Sequence, residues 1–160
     1  PMLAPFEQSG CSVRQLGRAW DIMAPRRLSA VRHIRTMPYP GFPTDAQPVV
    51  MAMAAVGRGT SIFVETIFEN RFKHAEGLER LGAKIKVEGK VAIVEGVEHL
   101  TGAPVMSHDL RGGAALVVAG LCAQGRTQVD GVEYIRRGYE DLAGNLADLG
   151  ARIREVEEAP

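Results

Sequence analysis

The sequence is short of several things that would have decided its class at once. Only two cysteines occur among 160 residues, Cys11 and Cys122, far apart in the chain. That pattern supports neither a disulfide framework nor a zinc knuckle. The four histidines, His33, His74, His99 and His108, show no metal-ligand spacing, so no metal is expected. Charge of one sign is also missing: nineteen basic residues cancel nineteen acidic ones. No net field attracts nucleic acid or an anionic membrane surface, and an anion site has to come from locally placed arginines. Aromatics are few, at 6%. No apolar run reaches the length of a membrane span and no signal peptide is visible. The chain opens at Pro1 without an initiator Met. Gly57-Arg58-Gly59-Thr60 lacks the lysine and the spacing of a P-loop. These absences lead to the expectation of a soluble, cytosolic protein. At this length one domain is expected, with a core of ordinary size.

What the sequence does have is a repeat. Phe6-Glu7-Gln8-Ser9-Gly10-Cys11-Ser12-Val13-Arg14, Leu78-Glu79-Arg80-Leu81-Gly82-Ala83-Lys84-Ile85-Lys86 and Leu146-Ala147-Asp148-Leu149-Gly150-Ala151-Arg152-Ile153-Arg154 resemble one another, with glycines 72 and 68 residues apart. Each copy reads as a helix end, a glycine just past it, and a strand. Ala55-Val56-Gly57-Arg58 and Ala123-Gln124-Gly125-Arg126 form a second pair at the same offset. The units run over about 1–10 (the end of one), 11–82 and 83–156, in the order β-α-β-α-β-β. Strands are expected near Ala19 to Ala24, Ala30 to Arg35, Ser61 to Glu65, Ala83 to Val87, Val91 to Glu95, Pro104 to Ser107, Thr127 to Gly131 and Arg152 to Val156. Helices are expected at about 46–56, 74–81, 110–123 and 138–149. The run from Ala114 to Ala123 is apolar all round, which predicts burial on every side, with helices inside and strands outside. The acidic end, Glu155, Glu157 and Glu158, reads as a solvated tail.

The stretch from Thr36 to Gln47 carries three of the nine prolines and a glycine between Pro38 and Pro43. Proline fixes φ and biases its predecessor toward extended backbone, so this loop is stiff. A helix start follows, with Thr44 or Asp45 near the cap and Pro48 in the first turn. The loop thus presents one carboxylate beside a helix N-terminus. Ser107-His108-Asp109-Leu110-Arg111 holds the matching place in the next unit, and Gly112-Gly113 after it would let a ligand approach the backbone. Arg71 and Arg137 lie 66 residues apart, each read between a strand and the following helix. One carboxylate and three arginines at equivalent ends suit a multiply anionic substrate and one proton to move.

Five stretches carry a resemblance. Pro40-Gly41-Phe42-Pro43-Thr44-Asp45-Ala46-Gln47, Glu65-Thr66-Ile67-Phe68-Glu69-Asn70-Arg71-Phe72, Gly96 to Val105, and Asp109-Leu110-Arg111 with Arg137-Gly138-Tyr139-Glu140 are similar to the UDP-N-acetylglucosamine 1-carboxyvinyltransferases, an enolpyruvyl transferase family. The similarity runs from about Ile34 to Val156. It implies an inside-out α/β barrel of β-α-β-α-β-β units (an α+β, or α/β, fold), one lobe of two with the active site between them. This chain resembles most of the C-terminal lobe. The implied reaction transfers the enolpyruvyl group of phosphoenolpyruvate to the 3′-hydroxyl of UDP-N-acetylglucosamine, through a tetrahedral intermediate, with no metal or organic cofactor.

By motif position, the resemblance gives Asp45 the place of the general base at the sugar hydroxyl. Ile67 falls where a backbone carbonyl meets the N-acetyl amide, with Phe68 packed beside it. Arg137 matches an arginine that holds phosphoenolpyruvate, and Arg111 one that closes on the intermediate. Arg71 and Asp109 match further substrate-binding positions. Departures are Arg136, where the family has an acidic residue, and the glycine-rich Gly112-Gly113-Ala114-Ala115. The other lobe's lysine, arginine and loop cysteine are absent, and neither Cys11 nor Cys122 replaces the last. A complementary N-terminal lobe is therefore an expected partner. Apolar surface left open in the first unit makes self-association a further expectation. The alternatives are a stand-alone lobe that binds without catalysing, and a transferase acting on shikimate 3-phosphate.

Overall fold

The computed structural model describes residues 2–156; Pro1, Glu157 and Glu158 lie outside them. The chain opens with helix α1 (Ala4–Gln8) and the hairpin β1 (Ser12–Leu16) and β2 (Ala19–Met23). Then come β3 (His33–Arg35), the proline-rich loop, a 3₁₀ turn (Thr44–Ala46), α2 (Gln47–Ala55), β4 (Thr60–Val64) and α3 (His74–Arg80). The next unit repeats this with the hairpin β5 (Lys84–Glu88) and β6 (Val91–Glu95), then β7 (Leu100–Thr101), β8 (Pro104–Met106), α4 (Leu110–Cys122), β9 (Ala123–Gln124) and β10 (Gln128–Asp130). Two short helices follow, α5 (Val132–Arg136) and α6 (Leu142–Asp148).

The repeat is visible bond by bond. At the ends of α1, α3 and α6, Gly10, Gly82 and Gly150 have φ of 92°, 92° and 95°. Left-handed backbone of this kind is costly for a residue with a Cβ. Each glycine N–H donates to a carbonyl three residues back, and the next N–H reaches five back: Cys11 to Phe6, Ala83 to Leu78 and Ala151 to Leu146. That double bond satisfies carbonyls which the helix end leaves free.

Helices lie inside and strands outside. The sheet β3-β4-β6-β5 pairs β3 with β4 in parallel, and β4 with β6 and β6 with β5 antiparallel. Strand alternation sends Ser61, Phe63, Ala92 and Val94 inward, all fully buried, while Ile62 and Ile93 face out. Against that inner face pack α2, on β4 and β6, and α3, on β5, while α4 packs on α2, α3 and α5. Met51, Ala55, Leu78, Leu81, Ala115 and Leu116 close the core between them.

Four expectations change. Residues 152–156 form no strand: in earlier copies the partner lies just C-terminal (β2 for β1, β6 for β5), and none follows among the described residues. The helix expected at 138–149 shortens to α6, which buries no residue, and a separate helix α5 occupies 132–136. The C-terminal half of α4 is not buried on every side, since Leu121 is 40% exposed and Cys122 is exposed. Glu155 is not free in solvent but pairs with Arg136, which answers the extra positive charge there.

The first hairpin is also open. Trp20 and Ile22 occupy the places of Ala92 and Val94, 72 residues on, which are fully buried against β4. Among the described residues no strand lies beside β2 on that side, and Trp20 and Ile22 are 50% and 42% exposed.

Candidate active site

The stiff loop does deliver a carboxylate, although not as a helix cap. The 3₁₀ turn begins after Pro43, the cap position of α2 is Ala46, and no side chain caps either. Asp45 turns away from the helix and takes two arginines. Arg71 Nη2 donates to its Oδ1 at 2.9 Å, and Arg111 Nη2 to its Oδ2 at 3.2 Å. The Asp45 side chain is 55% exposed, so the pairs add little stability. Their interest is chemical: one carboxylate and two guanidiniums meet at the surface.

Each arginine is braced by an aromatic ring. The guanidinium carbon of Arg71 lies 5.5 Å from the Phe68 ring centroid, and that of Arg137 lies 5.1 Å from Tyr134. In both cases the ring comes three residues earlier, so the two junctions are built alike. Arg111 stacks on Tyr139 at 5.4 Å and also donates through Nη1 to its hydroxyl at 3.1 Å. Such cation–π contacts orient a guanidinium that stays available to an anion. The Tyr139 hydroxyl, then Asp45, hold the Arg111 pKa above its ordinary value despite partial desolvation, so the group remains cationic.

Asp109 has another task. It caps α4, its Oδ1 accepting from Arg111 N at 3.0 Å and Gly112 N at 2.7 Å. Those N–H groups are therefore occupied, and the reading of Gly112-Gly113 as an approach for ligand does not hold. The glycines serve packing: a Cβ on Gly112 would sit 2.9 Å from His74 Cβ, and one on Gly113 would sit 2.6 Å from Ile135 Cγ1 and 2.2 Å from Ser107 Oγ. Asp109 also lines a recess of about 320 Å³ with Phe68, Glu69, Asn70, Arg71 and Lys73.

A larger recess, about 1540 Å³, lies elsewhere, along β10, α5, α6 and residues 150–156. It follows the side of β10 that carries no strand among the described residues, and none of Asp45, Arg71 or Arg111 lines it. Its size reflects an open sheet edge, and the charged cluster of Asp45, Arg71 and Arg111 lies outside it.

Of the residues singled out in the sequence, Asp45, Arg71 and Arg111 are in direct contact. Phe68 and Asp109 border the same recess, and Ile67 sits in the turn before it. Arg137 reaches none of them directly; it lies two residues from Tyr139, which touches Arg111. Sequence reasoning missed three groups. Tyr139 stood in a quoted motif without a role. Glu65, Thr36 and Thr44 form a buried network under Asp45. His74 is 3% exposed, and among the described residues neither ring nitrogen makes a well-formed hydrogen bond, the Arg71 carbonyl only lying near. No spacing rule points to the last two, because both depend on what folds over them.

Helices enclosed by sheets, with arginines gathered round one carboxylate at a helix start, form a lobe of enolpyruvyl transferase type. The fold matches the enolpyruvyl transferase NikO from Streptomyces tendae with a TM-score of 0.86 and 30% identity, over 96% of this chain and 36% of that one. It also matches EPSP synthase from Acinetobacter baumannii, with a TM-score of 0.75 at 20% identity, which bears on the fold alone. The chain belongs to the family described as EPSP synthase (3-phosphoshikimate 1-carboxyvinyltransferase), whose model matches residues 3–146. Among its relatives are UDP-N-acetylglucosamine 1-carboxyvinyltransferase 2 of Caldanaerobacter subterraneus subsp. tengcongensis, 50% identical over 98% of this chain, and the UDP-N-acetylglucosamine 1-carboxyvinyltransferase of Desulfofundulus thermocisternus, 54% identical over 96%. The chain spans 37% of the length of the first and 63% of the second.

Proposed function

We propose that this chain is most of the C-terminal lobe of a UDP-N-acetylglucosamine 1-carboxyvinyltransferase, residues 1–160 folding as one domain. It would act in the cytoplasm, early in cell-wall synthesis. The observation that carries the reading is the Arg71–Asp45–Arg111 cluster at a stiff, surface-facing junction. Asp45 accepts the proton of the sugar 3′-hydroxyl as that oxygen adds to C2 of phosphoenolpyruvate, while C3 gains a proton. Phosphate then leaves C2 with the C–O bonding pair as C3 gives a proton back to the acid that protonated it, re-forming the C2–C3 double bond, now as the enol ether product. Arg111 and Arg137 hold the carboxylate and phosphate charges, which change least expensively against fixed cations. The Ile67 carbonyl accepts from the N-acetyl amide, Phe68 packs beside it, and Arg71 and Asp109 complete the wall.

Arg111 now holds Asp45. An arriving anion competes for that guanidinium and frees one carboxylate oxygen for the hydroxyl. The shikimate alternative shares the fold, but the relatives at about half identity carry the sugar-nucleotide name, whereas the EPSP synthase structure is 20% identical. A complementary N-terminal lobe supplies the rest of the phosphoenolpyruvate clamp, and the open β2 face favours self-association of the chain. The test is phosphate release from both substrates, by the chain alone and with that lobe. Release is expected only from the pair; robust turnover by the 160 residues alone would refute the need for a second lobe.

A further inference from the structure

Glu65 follows β4 and is buried, 1% exposed, and among the described residues no cation pairs with it. A carboxylate taken out of water without a counter-charge is strongly disfavoured unless hydrogen bonds replace its hydration. Here four donors do so. Oε1 accepts from Thr36 Oγ1 at 2.8 Å, Ile67 N at 2.8 Å and Phe68 N at 3.2 Å, and Oε2 from Thr44 Oγ1 at 2.9 Å. The donors come from two separate stretches. Thr36 and Thr44 are the two ends of the proline-rich loop, and Thr44 is the residue before Asp45. Ile67 and Phe68 form the turn after β4.

We infer that Glu65 is a positioning residue that locks the Asp45 loop to the Ile67–Phe68 turn, setting the distance between the proton acceptor and the amide-recognising carbonyl. The inference rests on the reading of Asp45 and Ile67 given above. A stiff loop alone does not fix that distance, because prolines hold shape within the loop but not its place on the sheet. The carboxylate fixes both ends of the loop and the turn with one group. A second contact runs alongside: Thr66 N donates to Thr36 Oγ1 at 2.9 Å. Glutamine in place of Glu65 keeps the shape but removes the charge and turns one acceptor oxygen into an N–H donor, so the partner there must lose its bond or, as a threonine hydroxyl, turn about and accept.

The test has two arms on Glu65→Gln. In the chain itself, amide hydrogen exchange at Ile67 and Phe68 should quicken by at least about 10-fold, with β6 unchanged; uniform quickening, or none, would overturn the lock. In the transferase reassembled with its complementary lobe, misplacement by about 1 Å predicts a kcat loss of about 10²-fold. The same change on an Asp45→Asn background should cost almost nothing further, since the acceptor it positions is gone. An unchanged kcat, or an equal loss on both backgrounds, would overturn the positioning role. Thr44→Val removes one donor with little change of shape and should give a smaller loss of the same kind. Inactivity of the unsubstituted pair would sink the functional reading and the kinetic half of this inference, while the exchange arm would still decide the lock.

Discussion

Acid should unfold this chain partly through His74. The ring is 3% exposed at the start of α3, beside Phe72 at 6.5 Å between centroids, with Gly112 of α4 close over it. Burial is the main force lowering its pKa, from 6.5 to about 4; Arg71 adds to this, while Asp109 and the nearby Arg71 carbonyl act the other way. The folded state therefore keeps His74 neutral, and the unfolded chain binds its proton more readily. Stability from this group is whole above about pH 6.5 and falls as the pH drops toward about 4. A difference of about 2.5 units corresponds to about 3 kcal/mol in all, of which about 2 kcal/mol is lost between about pH 7 and about pH 5. That interval is useful because the other buried group, Glu65, titrates lower. Its burial raises the pKa, but hydrogen bonds from Thr36, Ile67, Thr44 and Phe68 outweigh that and bring it below 4.5. Its contribution is present above 4.5 and fails only below it.

The assay is urea unfolding followed by circular dichroism at the two pH values, for the wild type and His74→Leu. The wild type should lose about 2 kcal/mol more than the variant over that interval. Equal losses would refute the assignment. Direct titration of the His74 ring by NMR gives an independent reading, and a midpoint near 6.5 in the folded chain would refute it as well.

Two further outcomes are expected. In the reassembled enzyme, Asp45→Asn should lower kcat by about 10²-fold to 10⁴-fold with little change in sugar-nucleotide affinity, measured by steady-state kinetics and calorimetry; unchanged turnover would remove Asp45 from the proton-accepting role. In light scattering the chain alone should self-associate, and Trp20→Lys with Ile22→Lys should reduce this, because the open β2 face then carries charge; a monodisperse wild-type monomer would count against the interface.

How much of this was legible in the sequence depended on how local the cause was. The glycines at 10, 82 and 150 were readable because the helix-ending bonds involve only neighbouring residues. The β5–β6 hairpin was readable for the same reason, with Gly89 at φ 57° in a two-residue turn. Helix α5 was not: Val132-Glu133-Tyr134-Ile135-Arg136 has a strand-like composition, and it is helical because Ile135, 4% exposed, packs onto α4 in the space left by Gly113. Residues 152–156 carry the strand pattern and still make no strand, since a strand needs a partner as well as a pattern. Glu65 read as the last residue of a strand and the first of a motif, with no role of its own. Its meaning lies in Thr36 and Thr44, 29 and 21 residues away.

The pair Asp45 and Asp109 shows how a repeated junction can be turned to two uses. Both stand just before a helix, and both could cap it. Counted from Asp109 as the cap, the third helical residue is Gly112, whose N–H it takes along with that of Arg111. Counted from Asp45 in the same way, the third residue is Pro48, which has no N–H to give. The helix start moves on to Ala46, Thr44 turns its hydroxyl to Glu65, and the Asp45 carboxylate is left for the arginines. One proline thus separates a carboxylate committed to its own helix from one left free to face two arginines.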